Sequence, residues 1–528
     1  MTDDQRFYIT TTIPYVNGNP HIGHALEYAQ TDAFARYHRL RGDTTYFLTG
    51  TDENALKNVQ AAEREGVETQ ELVARNSQRF YDLAAQLGLQ IDQFIRTSVD
   101  PRHAAGASKL WEAVNRSGDI YKQYYGGLYC VGCEQYYNES ELIDGLCPEH
   151  NTRPDLIEEE NYFFRLSRYG EQLHSLIETD QVRVIPETRK NEVLSFIARG
   201  LQDFSISRSQ ERARHWGIAV PGDPSQVMYV WFDALTNYIT ALDFADDGDL
   251  YQQFWATNPD RIHALGKGVI RFHAIYWPAM LLSAGIPLPK TVFVHGYVNL
   301  SGAKISKSLG NVIDPAALID AYGAEAVRYY LLRAVSATGD HNFTIDGFEA
   351  RYNADLANDL GNLVNRTVSM IGRYRDAIVP ELAESGDTES SVRAIAEQTT
   401  ARVHDAMEDY DPQAALTAIW ELVTRTNKYV EETKPFELAK AARNGDQSAD
   451  GSLNTSLNTL AESVRLIAAL LEPFLPTTSV RIREQLGQPE HPTDQWNEQL
   501  QWGQTLPGIR VERAQPLFPR LEQPVATT

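Results

Sequence analysis

Apolar positions in roughly the first 115 residues follow two periods in turn. The run RFYITTTIPY is rich in β-branched and aromatic residues and has the texture of a buried strand. PHIGHALEYAQTDAFARYHRLRG follows with apolar residues at helical spacing, Pro20 marking its start and Gly42 its end. TTYFLTG reads as a second strand, followed by helical stretches near 53–65 and 69–87. Strand, helix, strand, helix at this spacing predicts an α/β, doubly wound, Rossmann-like parallel sheet.

The pattern breaks near residue 119. From there to 225, Gly and Tyr cluster with all the cysteines, and NYFFRLSRY and FSISRSQERARHWG lack clean α/β alternation, as an insertion would. Strand-like runs resume at QVMYVWFDA, DRIHALG and KTVFVHGYV, with an amphipathic helix in RFHAIYWPAMLLSAG between the last two. Beyond NLSGAKISKSLGN the periodicity becomes helical, in long segments broken by PELAESGDTESS and ARNGDQSADGS. The expected order is a Rossmann-like first half over 1–118, an insertion over 119–225 and the second half over 226–300. A loop and linker over 301–349, an all-α bundle over 350–487 and a Pro-rich tail over 488–528, without a domain of its own, complete it.

The composition changes the picture in three respects. At 528 residues, 42% hydrophobic and 23% charged, the chain is ordinary globular material, which excludes a disordered, collagen-like or coiled-coil protein. Lys and Arg number 48 against 71 Asp and Glu, a net charge of −23, so any polyanion must meet a local basic patch. No run approaches the ~20 apolar residues of a bilayer span, and the acidic start MTDDQRF is no signal peptide, so a cytoplasmic protein without membrane contact is expected.

Three segments carry candidate chemistry. His21 and His24 fall where the first strand turns into the first helix, on one face of its first turn, with Gly23 between them. A helix start at the end of a parallel strand favours phosphate, because free N–H groups and the helix dipole point there. An isolated H-x-x-H also fits two surface histidines. Lys304 and Lys307 lie in KISKS between Gly302 and Gly310, a small-residue loop able to fold over a pyrophosphate, or simply a solvated basic turn. Cys130, Cys133, Cys147 and His150 form two C-x2-C/H knuckles 13 residues apart, spacing that suits one tetrahedral Zn2+. The alternative is three reduced thiols that happen to lie close.

HIGH after the first strand and a KMSKS-like loop after the last resemble the two signatures of class I aminoacyl-tRNA synthetases. IPYVNGNPHIGH, GTDEN, YVWFDALTNYI, RFHAIYWPAML and FVHGYVNLSGAKISKS are similar to the methionine-specific family, over residues 6 to about 440. The resemblance implies activation of L-methionine by ATP with Mg2+, then transfer to the 3′ end of tRNA(Met). It implies that His21, Gly23, His24, His295 and Gly296 contact ATP while Lys304 and Lys307 close on the leaving pyrophosphate. It further implies a methionine pocket of Ile13, Tyr15, Trp231, Ala234, Tyr238, Val269, Phe272 and His273. Asp52 would pair with the substrate ammonium there, although it also fits as a helix N-cap.

The same resemblance assigns the zinc a structural role and the anticodon to Asn362, Arg366 and a stacking Phe436, unpaired bases being read by stacking and by their edges. Only 280 residues separate His24 from Lys304, too few for the editing insertion of sister enzymes, so methionine is selected in the synthetic pocket. Without an appended C-terminal barrel a monomer is expected. The chain departs from the family at Asn54 and Ala55, where His-Gly is usual, at Gly268 for Asp, at Leu235 for Pro and at Phe436 for Trp. Two further readings remain at this stage: an adenylyltransferase that uses no tRNA, and an RNA-binding relative without catalysis.

Overall fold

The computed structural model describes residues 5–132, 135–137, 139–149, 151–300, 303–304, 313–488, 496–505 and 507–521. The chain divides into two compact units. Unit one comprises 1–21, 44–85 and 90–295, and unit two comprises 22–43, 86–89 and 296–528. Helix α1 (Ile22–Leu40) therefore groups with the later residues, although it lies between the first two strands in sequence. The reason is a buried ion pair. Asp32 on α1 meets Arg328 at 2.7 Å with neither side chain exposed beyond 1%, and Arg328 also donates to the Phe474 carbonyl at 3.0 Å.

The strands of unit one that bear on the site are β1 (Arg6–Thr10), β2 (Thr44–Thr51), β3 (Gln93–Arg96), β4 (Ile120–Cys130), β5 (Gln135–Tyr137), β6 (Asp155–Phe164), β7 (Arg183–Ile185), β8 (Phe204–Ser205), β9 (Asp223–Met228), β10 (Arg261–Gly266) and β11 (Thr291–His295). The main sheet has the order β3-β2-β1-β10-β11-β7, every pair parallel. Ile9 sits opposite Phe47 on one side and Ile262 on the other. Its central strands are apolar runs rather than alternations; all of β11 is buried, as a sheet covered on both faces requires.

Within 119–225 a different sheet appears, antiparallel and ordered β5-β4-β6-β8. The helices of unit one near the site are α2 (Leu56–Glu65), α3 (Pro101–Arg116), α4 (Val230–Thr240) and α5 (Trp277–Ala284). One expected strand is shorter than its sequence suggested. In QVMYVWFDA the strand β9 ends at Met228 and α4 begins at Val230, because the apolar run continues at helical spacing through Tyr238.

Unit two is helical: α6 (Ala324–Arg333), α7 (Asn362–Tyr374), α8 (Asp387–Glu408), α9 (Pro412–Thr433), α10 (Pro435–Arg443) and α11 (Gln447–Leu471). Asp411 caps α9 and Asp446 caps α11 by accepting N–H groups of their first turns. Helices α7 to α10 pack around α11, whose residues from Thr455 to Leu471 include an unbroken buried stretch. Residues 496–505 dock on this bundle. Trp496 donates its indole N–H to the Ala469 carbonyl at 2.9 Å, and Glu462 accepts the N–H groups of Gly503 and Thr505 at 2.7 and 2.8 Å. No helix among the described residues is long and apolar enough to cross a membrane.

Candidate active site

The main sheet reverses direction at one place. The chain winds outward from β1 through β2 to β3, then returns to β10 beside β1 and continues to β11. Strand ends at such a switch leave the crevice in which open α/β sheets bind ligands. Ile13 and Tyr15 follow β1, Asp52 follows β2, Val269 follows β10, and His295 is the last residue of β11. Tyr15 and Asp52 continue the pairing of β1 with β2 as an isolated parallel bridge. Asp52 is buried, and its carboxylate accepts the Asn54 N–H at 3.2 Å. It does not cap α2: that position belongs to Ala55, which makes no side-chain cap.

A second wall comes from α4 and the turn before α5. Trp231, Ala234 and Tyr238 lie on α4 three and four residues apart, hence near one face. Pro278 has no N–H to give, and the helix widens ahead of it. Over Phe272–Tyr276 the Trp277 N–H reaches back five residues to the Phe272 carbonyl. That wide turn carries Phe272 and His273. Trp231 stacks flat on Phe272 at 3.8 Å between centroids and meets Tyr15 edge-on at 6.0 Å.

Hydrogen bonds then settle the imidazoles. His273 Nδ1 is 2.9 Å from the Val269 carbonyl, which only accepts, so Nδ1 donates. A neutral His273 thus offers Nε2 as an acceptor, and the Tyr238 hydroxyl donates to it at 2.7 Å. Tyr238 in turn lies 4.2 Å from the ring of His263. The Trp277 indole donates to His263 Nε2 at 3.2 Å, which leaves His263 Nδ1 to donate to the Thr10 hydroxyl at 2.8 Å. Burial, and then His273 nearby, push the His263 pKa well below the ordinary imidazole value. Thus Tyr15, Trp231, Tyr238, Val269, Phe272 and His273 form one chain of contacts, with Ala234 buried on the same helix and Ile13 half-buried against the surrounding core.

Spacing alone missed a polar network behind this wall. Asp233, fully buried on α4, accepts from Asn54 Nδ2 at 2.7 Å and pairs with His103 of α3 at 2.5 Å. His103 reaches Thr240 through its other nitrogen at 2.8 Å. A signal was present: a carboxylate inside the apolar run VWFDAL must find donors, because burying it unpaired is costly. The partner, 130 residues earlier, is invisible to sequence pattern. Lys57 was missed as well; its ammonium sits 3.7 Å from the Tyr15 ring centroid and donates to the Gly132 carbonyl at 3.0 Å.

The expected ATP residues lie where the chain passes from one unit to the other, between His21 and Ile22 and between His295 and Gly296. His21, half-buried, precedes α1, and Gly23 and His24 are in its first turn. Gly296 has no room for a side chain, since a Cβ there would lie 2.1 Å from the Gly339 carbonyl oxygen. Lys304 belongs to a two-residue strand, Ala303–Lys304, paired opposite Asn299. Lys307 lies outside the described residues.

For the expected zinc, Cys130 and Cys147 are buried, reduced, and gathered in a small cluster with Tyr137. Asp144 and Gly145, at φ 52° and 77°, turn the chain tightly between Ile143 and Leu146. Cys133 and His150 lie outside the described residues, and no group of three metal-ligating side chains occurs among the described ones. Two buried thiols beside a tight turn suit a soft, thiolate-binding metal. In unit two, Asn362 begins α7 exposed, Arg366 follows one turn later half-buried, and Phe436, 53% exposed, opens α10. Helices α7 and α10 touch, and both rest on α11.

Comparison with known proteins gives the same picture. A family profile described as tRNA synthetases class I (M) matches residues 7–155 and 150–368, and one for the anticodon binding domain of methionyl tRNA ligase matches 379–524. The methionine–tRNA ligase of Caldanaerobacter subterraneus subsp. tengcongensis is 43% identical over 98% of this chain and 79% of its own. That of Rhizobium meliloti is 42% identical over 100% of both chains. The structure of Mycobacterium tuberculosis methionyl-tRNA synthetase in complex with methionyl-adenylate superposes with a TM-score of 0.92 at 41% identity, covering 98% of this chain and 100% of that one. A parallel sheet with its crevice at the switch, a helical unit behind it in sequence, and identity sustained along the whole length leave one assignment: the chain belongs to the methionine–tRNA ligases, class I aminoacyl-tRNA synthetases.

Proposed function

We propose that the chain activates methionine with ATP and transfers it to tRNA(Met), with the methionine pocket at the switch point of unit one. In the first step a methionine carboxylate oxygen attacks the α-phosphorus of ATP, its bond to the bridging oxygen breaks, and pyrophosphate leaves. A ribose hydroxyl at the tRNA 3′ end then attacks the adenylate carbonyl, gives up its proton, and AMP departs. Neither step needs a protein nucleophile; alignment and charge stabilisation supply the rate.

The observation that carries the methionine end is the locked His273–Tyr238 pair beside the stacked Trp231 and Phe272. An unbranched thioether fits between such rings, and sulfur near an aromatic edge gains ~0.3–1.5 kcal/mol. Ile13, Tyr15, Ala234 and Val269 complete the apolar lining, and Asp52 receives the ammonium group. His21, Gly23, His24, His295 and Gly296 hold ATP, while Lys304 and Lys307 neutralise the departing pyrophosphate. Magnesium bound with ATP supplies further charge neutralisation. Cys130, Cys133, Cys147 and His150 would hold one structural zinc, a cross-link within the insertion. Asn362, Arg366 and Phe436 read the anticodon of a tRNA bound by a monomer, in the cytoplasm.

Amino-acid-dependent exchange of pyrophosphate into ATP tests the reading across all twenty substrates. Methionine alone should support exchange, and Lys307→Ala should reduce it by roughly 100-fold or more. Exchange driven by leucine or valine instead would move the chain to a sister specificity.

A further inference from the structure

Unit two contains a cleft of about 450 Å³ lined by Arg333, Thr417, Trp420, Glu421, Thr424, Arg425 and Lys428. Six of these residues belong to α9, spaced 3, 1, 3, 1 and 3 apart, so they form one stripe along about 16 Å of helix, at ~1.5 Å per residue. Arg333, at the end of α6, faces the same cleft.

The charges do not cancel. Glu421 is matched by Arg402, which holds its carboxyl below the usual range. Glu432 is shared by Arg425 at 3.0 Å and Lys428 at 3.6 Å, one carboxylate for two cations. Among the described residues Arg333 forms no ion pair, and its Nε is buried without a hydrogen-bond partner. The Trp420 indole N–H, in a side chain only 5% exposed, likewise finds no acceptor. The cleft is therefore rich in donors and poor in acceptors, within a chain of net charge −23. Arg333, Arg425 and Lys428 thus bring more positive charge to the cleft than Glu432 offsets, and an anionic ligand would balance the excess.

We propose that this cleft carries the phosphodiester backbone of the bound tRNA, with Arg333 and Lys428 as its phosphate contacts. The elongated stripe favours a polymer over a compact anion. The proposal rests on the reading that the chain charges tRNA, and it adds a contact that positions the RNA without reading its sequence. None of its residues belongs to the site in unit one or to the Asn362–Arg366–Phe436 set.

Binding of tRNA(Met) transcript across a salt series tests it, with full-length protein and Arg333→Gln, Lys428→Gln and the double variant. Each lost contact should flatten the slope of log affinity against log salt by about one, and the double variant should raise Kd roughly tenfold at 0.15 M salt. Transcripts with altered anticodons should lose affinity by the same factor, because phosphate contacts carry no sequence information. Methionine-dependent pyrophosphate exchange and thermal unfolding should stay unchanged, which separates this result from failure of the catalytic reading. An unaltered slope in the double variant overturns the proposal. So does binding of inorganic phosphate or AMP that depends on Arg333 but leaves tRNA affinity untouched, which would assign the cleft to a free anion.

Discussion

The residues proposed for methionine in unit one and those proposed for the anticodon in unit two would recognise by opposite physical means. Around Tyr238 both imidazoles are committed inside the protein: His273 to Val269 and Tyr238, His263 to Trp277 and Thr10. Those bonds also hold the fold, so recognition and stability draw on the same side chains. On α7 and α10 Asn362 is exposed, Arg366 half-buried and Phe436 53% exposed. Side chains so placed cost the fold little. A small apolar substrate has few handles and requires a rigid, dry enclosure, whereas unpaired bases bring faces and edges that a surface can meet.

The largest break in this contrast should come from Trp277→Ala. It removes a fully buried ring and the donor to His263, and unfolding in denaturant should show a loss of about 3–5 kcal/mol. Tyr238→Phe keeps the ring but strips His273 Nε2 of its donor. A stability loss of about 1–3 kcal/mol and a raised KM for methionine, with tRNA binding intact, are expected. On the other side, Phe436→Ala should weaken tRNA binding by about 1–3 kcal/mol through lost base stacking. Its unfolding free energy should move by no more than ~0.5 kcal/mol, and methionine-dependent exchange should be unaffected. If Phe436→Ala instead destabilised the fold as Trp277→Ala does, the contrast between the two regions would be wrong.

A pH effect sharpens it further. Because burial depresses the His263 pKa, the folded protein keeps that ring neutral while the unfolded chain takes up a proton near its ordinary value of about 6.5. Stability from this site is complete above that pH and is lost as pH falls toward the depressed value. The stability difference between wild type and His263→Gln should therefore narrow between pH 7.5 and roughly 5.5, as followed by denaturant midpoints.

How much of this was legible depended on the range of the interaction. Strands β1, β2, β10 and β11 could be read because their apolar runs are local signals; β3 and β7, four and three residues long, could not. Trp231, Ala234 and Tyr238 share a motif, but QVMYVWFDA carries both periods, and the helical one wins from Val230 onward. Asn54, a departure from the family pattern, proved to be a donor to Asp233, which motif comparison could not show.

By itself the amino-acid sequence determined four central strands of the parallel sheet, the helical character of the later residues, and the family. These follow from periodicity, turn residues and short motifs, all written within a few neighbouring positions. Tertiary structure alone decided that α1 joins the helical unit through Asp32 and Arg328, that Gly503 and Thr505 donate to Glu462, and which ring nitrogen of His273 accepts a hydrogen bond. Each of those outcomes depends on a partner far away in the chain, because a buried charge or donor is satisfied by whatever folding brings within about 3 Å of it.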